Sequence, residues 1–361
     1  MRFLFIRLSF YDLRFEKVLS VFSNLSNAKK ITLAYSDEGL NSDSKATYVY
    51  CSRIGFSPIK RVTVYLVKFF YTLVIELKKK YDFIYASDFE AAICIFLLSK
   101  FISVNYIYDI HDEINLRYNI HGLNYLLRKL DYLIKLNARY IIVCDEVRYL
   151  LIEAQFRSKT HIINNKPLRL TIKKTCEPSL CDPKIMHWIA EKKSTGHTVL
   201  LLSGWLVDRR GFTKIINFVE KNKDKYCLIL AGFLNEAGLA AVGNQESKLY
   251  VGNLEQLELL KLFKLIDYQF CLYDPQYDIN LYASPNKYWD SFFMNTKFLT
   301  NYEILSSRNS EFERLVVYID YYNVANWANV LDEINPKVEI KVSKNPTFFD
   351  DETYNFYCII K

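Results

Sequence analysis

The sequence predicts an α/β protein built as two parallel-sheet domains. Three observations predict it. Short apolar, β-rich runs alternate with longer segments of helical periodicity. The strand runs are apolar nearly throughout, as in RYIIVC, which suits strands covered on both faces. The alternation then restarts after a proline-containing stretch at 167–197. At about 150 residues per domain, a chain of 361 residues accommodates two.

In the first half the strand runs are RFLFIRL, KITLAYS, TYVYCS, DFIYAS, VNYIYDIH, RYIIVCD and HIINN. Between them the pattern predicts helices over Leu13–Leu25, Pro58–Tyr81, Ala91–Phe101, Tyr125–Ala138 and Val147–Gln155. Residues 167–197, with Pro167, Pro178 and Pro183, read as polar and irregular. After them come VLLLSG, a helix from Thr213, YCLILAG, a helix from Asn235, KLYVGN, a helix from Glu255, DYQFCLYD and a helix from Lys287. The expected division is a first domain at 1–170, a linker at 171–197 and a second domain at 198–335. The segment 336–361 is expected to pack back on the first domain. Two Rossmann-like halves facing across a cleft would bind ligands beyond the carboxyl ends of their strands.

Composition bounds the function. Hydrophobic residues are 51% of the chain and only 10 are Gly and 8 Pro, which argues against disorder. Residues 1–170 carry 25 Lys+Arg against 16 Asp+Glu, whereas 171–361 carry 22 against 24. A basic first half without a zinc finger or Arg-rich arm favours an anionic membrane surface over nucleic acid. The eight cysteines are scattered without a C-x-x-C; most sit in apolar runs, as buried thiols of a reducing compartment do. No metal site and no cofactor are expected. The opening MRFLFIRLSF has Arg7 within its apolar run and does not read as a signal peptide. The longest apolar stretch, Val62 to Leu77, contains Lys68 and falls short of the ~20 residues that span a bilayer. The expected location is cytoplasmic, peripheral at the inner face of a membrane. Helix 58–81, with Lys60, Arg61, Lys68 and Lys78–Lys80, and helix 125–138, with Arg128, Lys129 and Lys135, could lie on that surface.

Three segments could carry chemistry. In LLLSGWLVDRRGF a strand ends at Gly204, and Arg209 and Arg210 precede a helix start, where charged forks and amides bind phosphate. In ASPNKYWD, Ser284 is a candidate N-cap and Pro285 suits a first turn, so the helix starts at 284–286. Lys287 adds a cation there. Asp290 lies one turn in, on the face of Asn286, where a carboxylate can accept ribose hydroxyls. In VNYIYDIHDE a strand ends in His111, Asp112 and Glu113, three ionisable groups that are costly there unless solvated or used. The acidic run Asp350-Asp351-Glu352 reads as a solvated turn.

Together these segments resemble family-four glycosyltransferases of the GT-B fold, found in bacterial surface-polysaccharide (O-antigen or capsule) assembly. VLLLSGWLVDRRGF resembles their "G-x-L…(K/R)-G" strand end, ASPNKYWDSFFMNTKFLTN their "SPNK-x-x-E" segment, and YDIHDE the strand end of their first domain. LYVGNLEQLELLKLFKLIDYQFCLYDP and IINNKP are similar to the stretches between and before these. The resemblance implies a metal-independent, retaining transferase. It would move a sugar from a nucleoside-diphosphate-sugar donor to a saccharide or lipid-linked saccharide acceptor. It implies that Arg210 contacts the donor diphosphate, Asp290 the ribose, and Ser284, Pro285 and Asn286 the donor sugar and phosphate, with Lys287 a second cation at the same helix start. Gly204, Arg209, Gly252 and Asn253 would complete the donor site, with the last two near the base. His111 would act near the transferred sugar beside acceptor-side Asp112 and Glu113. The chain departs from the pattern at Trp205, where the family often has Arg, and at Asp290 for the usual Glu. Tyr282 replaces the family's first glutamate, and RLSFYDLRF has no Gly. An inactive scaffold and a nucleotide-sugar epimerase on the same fold are the alternative readings.

Overall fold

The structure, a computed structural model, describes residues 1–8, 12–35, 46–51, 58–117, 124–177, 182–242, 246–334 and 346–361. The chain forms two compact units. The first holds residues 1–164 and 349–361, and the second holds 165–348.

The first unit is a seven-stranded parallel sheet. Its strands are β1 (Arg2–Arg7), β2 (Asn27–Tyr35), β3 (Ala46–Cys51), β4 (Phe83–Ser87), β5 (Tyr106–Ile110), β6 (Tyr140–Val143) and β7 (Thr160–Ile162). Their order is β3-β2-β1-β4-β5-β6-β7, so the winding reverses between β1 and β4. The strands answer the seven apolar runs. Helix Leu13–Leu25 begins where Asp12 accepts a hydrogen bond from the Phe15 amide at 2.8 Å. The helix expected over 58–81 stops at Leu77, short of the left-handed Lys80. The helix expected at 91–101 instead starts at Asp88 and ends at Leu98. The one expected over 147–155 is a helix over Glu146–Leu151, capped by Asp145, followed by a 3₁₀ segment at Ala154–Lys159.

The run Asp350-Asp351-Glu352 is not a turn but the first turn of helix Phe349–Ile360, where carboxylates suit the helix dipole. Glu352 accepts from the Asn164 backbone amide at 2.6 Å and its side-chain amide at 3.1 Å. Tyr357 packs edge-on against Phe22 and donates to the Leu25 carbonyl at 3.1 Å, so this helix seals the helix Leu13–Leu25.

The second unit is a six-stranded parallel sheet: β8 (Thr198–Trp205), β9 (Tyr226–Phe233), β10 (Lys248–Tyr250), β11 (Tyr268–Phe270), β12 (Lys297–Thr300) and β13 (Val316–Tyr318). Their order is β10-β9-β8-β11-β12-β13, and the winding reverses between β8 and β11. β8 shows why the strands are apolar throughout. Leu200 and Leu202 enter the core on one face, Val199 and Leu201 the core on the other. Strands β12 and β13 lie within segments that the sequence pattern leaves unassigned. Residues 171–197 belong to this unit, and much of them is helical rather than irregular. Pro183 and the Asp182 carboxylate, which accepts from the Lys184 amide, start helix Pro183–Ser194, whose Ile185 and Ile189 are buried one turn apart. Among the described residues no helix is long and apolar enough to cross a membrane.

Candidate functional site

In the second sheet the loops after β8 and β11 meet where the strand order reverses, which is where open parallel sheets bind ligands. The Asp274 amide donates to the Arg209 carbonyl at 2.9 Å and joins the two loops. The Arg210 guanidinium lies 3.8 Å from the Tyr273 ring centroid, and that of Arg209 lies 4.2 Å from Tyr277. Arg210 Nη1 is buried with no hydrogen-bond partner among the described residues.

The expected helix start moves by one position. Pro285, not Ser284, is the N-cap of helix Asn286–Met294, and no side chain caps it. A proline has no side-chain acceptor and its carbonyl takes only the Tyr288 amide, at 3.3 Å, so the Asn286 and Lys287 amides keep their capacity for an anion. Ser284 instead gives its carbonyl to Asn165 Nδ2 at 2.8 Å, which pins the loop before the helix. Asn286 Oδ1 is buried without a hydrogen-bond partner among the described residues. Asp290, one turn in, is only 4% exposed.

Lys287 projects back over β8. Its Nζ lies 3.7 Å from where a Cβ on Gly204 would stand, and Gly204 has φ +86°. Burial holds the Lys287 ammonium below the usual lysine range; Cys271 and Asp290 push the other way, but Arg210 adds to the depression. Among the described residues no ion pair or hydrogen bond engages Nζ. Two neighbouring cations in no ion pair among the described residues leave positive charge that an anion can neutralise.

The helix start after Arg210 is closed to one. Asp208 accepts from the Thr213 amide at 3.3 Å and from its hydroxyl, so the chain's own carboxylate occupies that terminus. Farther along the sheet edge, the Gly232 amide donates to the Gly252 carbonyl at 2.7 Å. A Cβ at Gly252 would meet nothing within 4 Å, and Asn253 beside it is exposed.

In the first unit the strand-order reversal lies at the ends of β1 and β4, and β5 ends next to them. His111 follows β5, with Asp109 and Ser87 at Nε2 and the Arg7 guanidinium, a donor only, at Nδ1. Nε2 lies 3.0 Å from Asp109 Oδ2 and 3.2 Å from Ser87 Oγ, and Nδ1 lies 3.2 Å from Arg7 Nη1. Burial pulls the imidazole's pKa down, but Asp88, Asp109 and Asp12 outweigh it and hold it above its ordinary value. Asp109 is buried against Arg14, whose Nε and Nη2 donate at 3.1 and 3.0 Å. Asp88 opens the helix directly after β4 at φ +67°, a left-handed conformation uncommon outside glycine. It accepts from the His111 amide at 3.2 Å and pairs with Arg117 at 3.3 Å.

The other two acidic groups are held apart from this ring. Asp112 accepts from Arg148 at 2.9 Å. Glu113 lies 3.4 Å from Lys135, which also meets Asp131 at 2.7 Å and Glu153 at 3.3 Å. Lys135 is therefore buried in an ion cluster and is not part of a basic outer face.

The structure thus brings together Gly204, Arg210 and Lys287, with Arg209 on the same loop. Arg7, Asp88, Tyr273 and Tyr277 join these sites without having been picked from the sequence; only their places at strand ends could have flagged them. Of the cysteines, Cys176 is exposed and Cys181 lies outside the described residues. Among the described residues no group of three His, Cys, Asp or Glu is placed to hold a metal.

No protein-family model and no curated relative matches the sequence. Solved structures match it nearly end to end. Sucrose-phosphate synthase from Thermosynechococcus elongatus superposes with a TM-score of 0.70 at 12% identity, covering 99% of this chain and 96% of that one. The Anabaena protein HepE in complex with UDP and glucose gives 0.63 at 13% identity, over 100% and 94%. The UDP-GlcNAc 2-epimerase of Methanocaldococcus jannaschii gives 0.59 at 11% identity, over 100% and 99%. Two doubly wound parallel sheets on one chain, matched over this length by these structures, establish that the protein has the GT-B fold.

Proposed function

We propose that the protein is a glycosyltransferase that moves a sugar from a nucleoside-diphosphate-sugar to a saccharide acceptor carried on a lipid. One observation carries the reading: Arg210 and Lys287, two neighbouring cations in no ion pair among the described residues, stand at the strand-order reversal of the second sheet beside a helix start that no side chain caps. A diphosphate supplies the charge they lack. It does so most fully as the sugar departs, because the leaving group then gains negative charge.

In this reading Arg210, Lys287 and the amides after Pro285 stabilise the leaving diphosphate without a metal, and Arg209 supports the same loop. Ser284 and Asn286 line the helix start, Asp290 accepts ribose hydroxyls, and Gly252 and Asn253 border the base. His111 acts from the first unit on the transferred sugar, near acceptor-side Asp112 and Glu113. The motif order shared with family-four enzymes supports retention at the anomeric carbon and a role in surface-polysaccharide assembly. HepE, a structural relative, was captured with UDP and glucose. An exposed face on helix Asn124–Asn137, with Tyr125, Leu126, Tyr132 and Leu136 beside Arg128 and Lys129, supports binding at an anionic membrane surface.

The likeness to a UDP-GlcNAc 2-epimerase favours a second reading, nucleotide-sugar epimerisation. One experiment separates them. Thermal shift with UDP-, GDP-, ADP- and CMP-sugars identifies the donor, since a ligand stabilises the state that binds it. The stabilising donor is then incubated with and without a lipid-linked saccharide pool. Transfer that needs the acceptor, survives EDTA and retains anomeric configuration supports the proposal. An epimerised sugar without acceptor supports the second reading, and binding without turnover supports an inactive scaffold.

A further inference from the structure

Trp205 ends β8 and Phe233 ends β9, and the parallel register pairs them. Their ring centroids are 6.5 Å apart, with planes inclined at 47°. Both rings stay in solvent, 72% and 58% exposed, whereas Trp289 and Trp327 of the same unit are buried. A last strand position facing water does not call for a large ring, and two adjacent ones forgo the burial that aromatic side chains gain elsewhere.

Their surroundings have a direction. On one flank is Gly204, over which Lys287 Nζ lies, with Arg210 on the loop that follows. On the other flank Gly232 is bound to Gly252, beside which there is open space. The edge of the sheet therefore runs from cations at β8 and β11, to two rings on β8 and β9, to a gap beyond β10. A nucleoside diphosphate has the same order, an anionic end and a planar aromatic end. The two tyrosines near the cations have faces already taken by Arg210 and Arg209.

We infer that Trp205 and Phe233 are the stacking surface for the nucleobase of a nucleoside diphosphate whose phosphates lie on Arg210 and Lys287. This rests on the donor reading above. Recognition by stacking reads the face of a base rather than its hydrogen-bonding edge, so it tolerates different bases and favours the larger purines.

Calorimetry with UDP, GDP, ADP and inorganic pyrophosphate tests it on the full chain and on Trp205→Ala, Phe233→Ala and Trp205→Tyr. Both side chains are exposed, so melting temperatures stay near wild type. The expected result is about 5- to 100-fold weaker binding of the nucleoside diphosphates by each alanine variant. Pyrophosphate affinity stays unchanged, and Trp205→Tyr stays close to wild type. Unchanged nucleoside diphosphate affinity in both alanine variants overturns the inference, as does an equal loss for pyrophosphate. A loss confined to UDP-glucose, with UDP unaffected, also overturns it, because the rings then serve the sugar. Wild-type protein that binds pyrophosphate but no nucleoside diphosphate overturns the donor reading as well; nucleotide binding that survives the substitutions overturns this inference alone.

Discussion

Lys287 Nζ stands 3.7 Å from where Gly204 would carry a Cβ, and no described carboxylate or carbonyl engages it. The sequence places the two residues far apart, in separate motifs, and the fold stacks one over the other. An ammonium held in this way weakens the unliganded protein and strengthens its complex with an anion.

Lys287→Met is therefore expected to raise the melting temperature of the free protein and to weaken UDP binding by about ten- to hundredfold, the value of a charged hydrogen bond. The pH dependence follows in sign. The folded pKa is lowered, so the unfolded chain binds more protons, and stability of the free protein rises as pH climbs through the lowered value. UDP affinity falls over the same interval, because the ammonium is the form that binds. Melting curves and calorimetry from neutral pH upward measure both. A variant less stable than wild type with unchanged affinity would make Lys287 a structural residue.

Glycines at the same edge differ in what they tolerate. A Cβ at Gly232 would stand 1.9 Å from the Gly204 carbonyl oxygen, so Gly232→Ala must push β8 and β9 apart. At Gly204 the new Cβ meets Lys287 only at ordinary contact distance, and the cost comes from φ +86°, about 1–2 kcal/mol. Urea titrations should rank Gly232→Ala well below Gly204→Ala in stability. Equal losses would show that strand spacing there is soft.

Asp109 offers a test of the first unit. Burial raises its pKa, but Arg14 and His111 outweigh this and hold it well below the usual carboxylate range. Its stabilising contribution is full above the unfolded value of about 3.9 and is lost as pH falls through the folded one. Asp109→Asn leaves the Arg14 guanidinium buried without its charge partner, and should cost about 3–5 kcal/mol at neutral pH. Chemical denaturation reads this directly. A loss under about 1 kcal/mol would mean that Arg14 finds water instead.

Membrane association is tested on the face of helix Asn124–Asn137, where Tyr125 is 78% exposed. The protein is expected to sediment with phosphatidylserine vesicles, less with phosphatidylcholine, and to be released by salt. Replacing Tyr125 and Leu126 by Glu should reduce partitioning about tenfold or more, through lost apolar contact and added negative charge. Unchanged sedimentation would assign that face to packing against another protein or to nothing.

What was legible in the sequence follows from burial. Strands such as RYIIVC and VLLLSG are covered on both faces, so their apolar runs announce them and the parallel architecture. Two residues separate β12 from helix Asn286–Met294, so its apolar run merges with that of the helix, and β13 is three residues long and follows a 3₁₀ turn. Helix Pro183–Ser194 carries two buried isoleucines among polar residues, so it read as a loop. Arg210 and Lys287 were visible as residue types at strand ends. That they make no ion pair among the described residues, and that Asp208 closes the neighbouring helix start, depends on side-chain placement that no spacing encodes.

His111 gives the sharpest test of the proposed chemistry. Its Nε2 is held by Asp109 and Ser87, whereas Arg7 at Nδ1 is a donor only, so that contact is a hydrogen bond in the neutral ring and opposes the charged one. Its pKa is raised by the surrounding carboxylates against the pull of burial, so the imidazolium persists above the pH at which a free histidine loses its proton. A positioned hydrogen-bond donor of this kind, acting on a hydroxyl of the transferred sugar, would contribute more in the transition state than in the bound ground state. His111→Ala is then expected to lower kcat by about 10²–10³ while leaving UDP affinity within about twofold. A purely structural role would lower the melting temperature instead, so it is measured in parallel. The pH profile supplies an independent readout. If the imidazolium is the active form, wild-type kcat declines as pH rises through the raised pKa, and His111→Gln, which keeps a donor but cannot titrate, loses that limb. Near-normal turnover by a stable His111→Ala protein would remove the first unit from the chemistry and leave it only the acceptor to bind.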